Sequence, residues 1–77
     1  MTLESLVREF VEECGWTPEE APKFAAWYME VNSFVVGRIG VGIRSIGDWD
    51  YAGAFEVGLS ARECALEVVE SFMTGNL

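Results

Sequence analysis

The sequence predicts an all-α fold, a compact four-helix domain spanning residues 1–77. Three observations lead there. Apolar side chains recur at intervals of three or four residues over 3–14, 24–39 and 64–73. Capping chemistry precedes the helical stretches, with Thr2, then Thr17 followed by Pro18 and Glu20, then Ser60 followed by Glu63. Glycines stand where helices should stop, at Gly15, Gly58 and Gly75.

The first helix follows Thr2. Leu3, Leu6, Val7, Phe10, Val11 and Cys14 make one apolar stripe, and Glu4 stands four residues before Arg8 on the outer face. The second helix has two candidate starts. Either Thr17 caps it and Pro22 kinks it four residues in, or a short turn ends and the main helix begins at Pro22. Phe24, Trp27, Tyr28, Val31, Val35 and Ile39 then keep helical spacing to about Gly37 or Ile39.

The middle of the chain admits a second reading. Val35, Gly37, Ile39, Val41 and Ile43 also alternate, which suits a β-hairpin within residues 34–57 and an α+β fold. The unbroken period from Phe24 and the weakening effect of strand glycines favour the helix. Gly40 to Gly47 then becomes an apolar loop with Val41, Ile43 and Ile46 turned inward. A third helix is expected from an Asp48 cap, with Trp49, Ala52 and Phe55 on one side and Gly58 as its stop. The fourth carries Ala65, Val68, Val69, Phe72 and Met73 inward.

Composition excludes several functions. Thirteen acids face five bases, a net charge of −8, with no histidine. That balance opposes direct binding to nucleic acid or an anionic membrane surface, and favours a basic partner. Without histidine there is no Ser-His or Cys-His pair and no His-containing zinc site. Cys14 and Cys64 are too few for a disulfide framework and read as small buried hydrophobes. No signal-peptide pattern opens the chain, and Arg38 and Arg44 interrupt the apolar run from Phe34 to Ile46, so a reducing cytoplasm is expected.

Two motif fragments fail on inspection. Gly40-Val41-Gly42 lacks the third glycine of a dinucleotide loop. Asp48 and Asp50 open like a calcium loop, but its fifth and twelfth positions hold Ala52 and Leu59. No metal, cofactor or catalytic residue is therefore expected. A chain of this length buries roughly 60% of the surface it exposes unfolded, which leaves little room for an enclosed active site.

The charge is unevenly laid out. Residues 31–47 hold no acid and two arginines, between two acidic flanks. Glu9, Glu12 and Glu13 from the first helix, and Glu63, Glu67 and Glu70 from the last, are candidates for contacting a partner, with Asp48, Trp49 and Asp50 as a further edge. The acid-free middle is a candidate self-association surface through Val35, Arg38 and Arg44, which allows a homodimer.

From Asp48-Trp49-Asp50-Tyr51 through Ala54-Phe55-Glu56 to Gly58-Leu59-Ser60 and Glu63-Cys64-Ala65, the chain resembles the ending of many small phage and prophage proteins. The resemblance covers about a third of the chain. It implies a viral or mobile-element origin and a helix over 48–58, and it carries no functional residue with it. In size and charge the chain is also similar to anti-CRISPR and antirestriction proteins. That likeness implies a non-catalytic inhibitor in the cytoplasm of a bacterial host, whose acidic helix faces occupy a basic nucleic-acid-binding surface of a host defence complex. The alternative is a small self-associating adaptor.

Overall fold

The computed structural model describes residues 2–75; residues 1, 76 and 77, which belong to the expected domain, lie outside the described residues. Four α-helices follow in order: α1 (Leu3–Glu13), α2 (Ala21–Ile39), α3 (Tyr51–Glu56) and α4 (Ala61–Met73), with a 3-10 turn at Ile43–Ser45 between α2 and α3. Among the described residues there is no strand, so the hairpin alternative falls and the all-α reading holds.

Helix α2 is the axis of the molecule. Ala21, Phe24, Tyr28, Val31 and Val35 are all buried. Their alternating spacing of three and four residues keeps them on one stripe. Helices α1, α3 and α4 and the 3-10 turn each pack on α2, and the α2–α4 interface is the largest. Leu6 and Phe10 come from α1, Cys64, Ala65 and Val68 from α4, and Ile43 and Ile46 from the α2–α3 connection. The aromatic rings are continuous: Trp16 stacks on Phe24 at 4.4 Å between centroids, Phe24 meets Phe10 at 4.8 Å, Phe10 meets Tyr28 at 5.4 Å, and Tyr28 meets Tyr51 at 5.3 Å. Such tilted and edge-on pairs add to the gain from burial alone.

The helix starts follow capping rules. Thr2 and Ser5 close a capping box on α1, and Ser60 and Glu63 close one on α4. Of the two starts for α2, the later one is found. Thr17 closes a turn, its hydroxyl accepting from the Glu20 N–H at 3.1 Å and its carbonyl from the Ala21 N–H at 2.9 Å. Pro22 thus falls in the first turn of α2, where its missing N–H costs nothing and no kink follows. At the other end Gly40 takes φ 78°, a left-handed geometry that favours glycine, and its N–H bonds the Val36 carbonyl.

Four expectations are corrected. The cap of α3 is Asp50, not Asp48: its carboxylate accepts from the Gly53 N–H at 2.9 Å, while the Tyr51 N–H that Asp48 would have needed bonds the Trp49 carbonyl. Trp49 therefore stays outside the helix. Glycine at position 53 makes this possible, since a Cβ there would collide with the Asp50 carboxylate. Val41 is 41% exposed, because the loop turns only Ile43 and Ile46 inward. On α4 burial ends at Val68, leaving Phe72 and Met73 38% and 71% exposed. Cys14 lies past the end of α1 and is exposed, whereas Cys64 is sealed in the core.

The cap assignment predicts that Asp50→Ala destabilises the fold by about 0.5–2 kcal/mol in urea denaturation, whereas Asp48→Ala changes it by under about 0.5 kcal/mol. Equal effects would contradict it.

Candidate protein-binding surface

Three open hollows run side by side across one part of the surface. The first, of about 450 Å³, lies where α1, α2, the 3-10 turn and the residues before α3 meet; Glu9, Tyr28, Arg44, Asp48, Trp49 and Tyr51 line it with others. The second, about 430 Å³, lies between α3 and α4, with Trp49, Asp50 and Glu67 around an apolar floor of Ala54, Val57 and Leu59. The third, about 280 Å³, is formed by Glu67, Glu70, Ser71 and Thr74 on α4. Trp49 is shared by the first and second, and Glu67 by the second and third.

The folded chain thus brings four of the sequence-predicted acids, Glu9, Asp48, Asp50 and Glu67, into the two hollows that share Trp49, and Glu70 lines the third beside Glu67. Among the described residues that line these hollows the only base is Arg44, and it is occupied. Its Nη2 donates to Glu9 Oε2 at 2.8 Å, and its guanidinium carbon lies 5.6 Å from the Tyr28 ring centroid. The Glu9 hydrogen bond raises the Arg44 pKa further above its ordinary value, against the opposing effect of burial. No sequence signal foretold this pair, whose members are 35 residues apart.

Other candidates lie elsewhere. Glu12 and Glu13 are exposed at the end of α1 and line none of the three hollows. Glu63 is exposed, and its Oε1 accepts from the Ser60 N–H at 3.3 Å in the capping box. Val35 is fully buried against its own chain and offers nothing to a second copy; its place in the period from Phe24 already pointed inward. Arg44 is engaged as described, so of the proposed self-association residues only Arg38 remains exposed and outside the described ion pairs.

Three further features were not foreseen. Trp27 Nε1 donates to the Leu59 carbonyl at 2.9 Å and so pins the floor of the second hollow to α2. The Asn32 side chain accepts from the Ile43 N–H at 2.9 Å and anchors the 3-10 turn. The Tyr51 hydroxyl is buried without a hydrogen-bond partner. Its pKa is pushed up mainly by burial, as is that of Tyr28. Among the described residues no group of three or more His, Cys, Asp or Glu side chains is placed to hold a metal ion, and no helix is long and apolar enough to cross a membrane.

Burial also pushes the Cys64 thiol up from 9.0 to about 12. In alkali the folded chain keeps the protons of Cys64, Tyr51 and Tyr28 while the unfolded chain loses them, so stability falls as pH rises. The thermal midpoint is expected to be steady up to pH 8.5 and to drop between pH 9 and 12, as followed by circular dichroism. At pH 8 a thiol reagent should modify Cys14 readily and Cys64 only on unfolding. Equal labelling of both thiols in the folded state would contradict this placement.

No protein-family model matches the chain, and no solved structure matches it. The chain is similar to the Gene 87 protein of Mycobacterium phage D29, with 35% identity over 46 residues, which is 60% of this chain and 85% of the phage protein. The chain belongs to the family of that phage protein.

Proposed function

We propose that the chain is a non-catalytic protein-binding module, a phage-encoded inhibitor of the anti-CRISPR or antirestriction type. It covers a basic nucleic-acid-binding surface of a host protein and needs no cofactor. The observation that carries this reading is the run of adjoining hollows bearing Glu9, Asp48, Trp49, Asp50, Glu67 and Glu70, whose only base among the described residues, Arg44, is paired with Glu9. Carboxylates held on a packed helical body meet Lys and Arg side chains where phosphates would otherwise lie. Such complementarity raises association rates by roughly 10–10³ at low salt and selects against acidic partners. The net charge of −8 keeps the chain off nucleic acid itself. The chain acts in the cytoplasm of the bacterial host.

The test is affinity capture from host lysate at two salt concentrations, followed by mass spectrometry. The chain is expected to retain a basic nucleic-acid-binding protein, less strongly at the higher salt. The Asp48→Lys/Glu67→Lys pair should lose it, and Glu12→Lys/Glu13→Lys should keep it. Retention of the same protein by all three chains at both salts would overturn the reading.

A second reading rests on Phe34 and Val36, 43% and 42% exposed on α2, beside the exposed Arg38 in an acid-free segment. Phe34 and Arg38 are one helical turn apart, and they suit a contact between two copies. Sedimentation at high concentration would then show a dimer that Phe34→Glu and Arg38→Glu abolish. A monomer throughout removes it.

A further inference from the structure

The neighbouring hollows of this surface differ in one respect. In the first, a cation, an aromatic face and a carboxylate are already assembled from the chain itself: Arg44 lies over Tyr28 and bonds Glu9. In the second, the aromatic face and the carboxylates are in place, but no base among the described residues lines the groove. Trp49 stands at its wall. Asp50, ahead of α3, and Glu67, on α4, approach from two elements. Only Oδ1 of Asp50 is engaged in the helix cap, which leaves Oδ2 for another donor.

The floor matters equally. Ala54, Val57 and Leu59 line the groove with apolar surface beside the carboxylates, Val57 as an 80% exposed edge. Isolated carboxylates would attract any cation, including a hydrated metal ion. An apolar floor beneath acids instead suits a long aliphatic stem with a charged end, the form of lysine and arginine. A cation over an indole face gains further attraction, most strongly when partly desolvated. The groove is also held open: Trp27 fixes the Leu59 backbone, and glycine at position 53 leaves room for the Asp50 carboxylate.

We infer that the groove between α3 and α4 receives one lysine or arginine side chain of the partner. The cation lies against Trp49 between Asp50 and Glu67, and the stem lies along Ala54, Val57 and Leu59. This rests on the binding role proposed above and identifies where on the acidic surface a single residue of the partner is anchored. Trp49 is the expected hot spot, since aromatic anchors dominate protein interfaces.

The test uses N-acetylarginine methylamide, with N-acetylnorleucine methylamide as the uncharged control, titrated into isotope-labelled protein and followed by NMR. The arginine compound should shift the Trp49 indole N–H and the backbone N–H signals of Gly53 and Val57 in a saturable manner. The control should leave them unmoved. Glu67→Gln, an exposed change outside the core, should weaken the arginine compound, and Trp49→Phe should weaken it by roughly two- to fivefold. Absence of these shifts, equal shifts with the control, or shifts confined to Glu12 and Glu13 would each overturn the inference. If Glu67→Gln and Trp49→Phe still capture the same basic partner at full strength, the groove is not the anchor and the broader binding role survives. If no basic ligand binds the chain anywhere, both fail.

Discussion

Nineteen residues of one helix must serve as the packing partner for the rest of the molecule. In a chain this short there is no second layer to share the load, so α1, α3, α4 and the 3-10 turn all lean on α2. Val31 and Val35, in the C-terminal half of α2, and Ala21 and Ala25, near its start, have no exposed surface at all. The two ends of α2 are therefore defined sharply: Pro22 sits in the first turn, and Gly40 turns the chain out of the helix. A kink at Pro22 would have swung Phe24 and Tyr28 away from Phe10, dividing an aromatic cluster that now runs from Trp16 to Trp49.

That geometry decides which charges become neighbours. Helices α1 and α4 pack on α2 and make no substantial contact with each other among the described residues. Their acids adjoin only by way of the hollows that share Trp49. Glu9 instead turns toward the α2–α3 connection, where Arg44 takes it up, while Glu67 joins the residues that lead into α3. The tie between Glu9 and Arg44 is half exposed, and a pair of that kind contributes only modestly to stability. Its larger effect is to offset the charge of Arg44, the one base among the described residues that line the three hollows.

Trp49 links fold and surface. It packs on Tyr51 at 5.5 Å, which joins it to the core, yet it lies outside α3 and so forms a wall of two adjacent hollows. This position depends on the cap at Asp50. Had α3 begun two residues earlier, Trp49 would have been part of the first helical turn. The small residues Gly53 and Ala54 line the second of these hollows with it. In a chain of this size the same few residues serve both as helix cap and as lining of the hollow between α3 and α4.

The sequence by itself determined the number and order of the helices, the capping at Thr2 and Ser60, and the inward stripes of α1 and α2. Each of these depends on residues within a turn or two of one another, where spacing and hydrogen-bond reach are local. It also singled out Asp48, Trp49, Asp50 and Glu67 from charge and aromatic content, though without relating them. The tertiary structure decided the rest. The choice of Asp50 over Asp48 turned on where one backbone N–H was already engaged. The exposure of Cys14, Val41, Phe72 and Met73 followed from where the packed layer ends, which periodicity does not report. The pairing of Glu9 with Arg44 and the acid-rimmed groove between α3 and α4 arise from segments far apart in the chain. Their meeting is set by how the helices pack on α2, a property of the whole folded body and of no single stretch of residues.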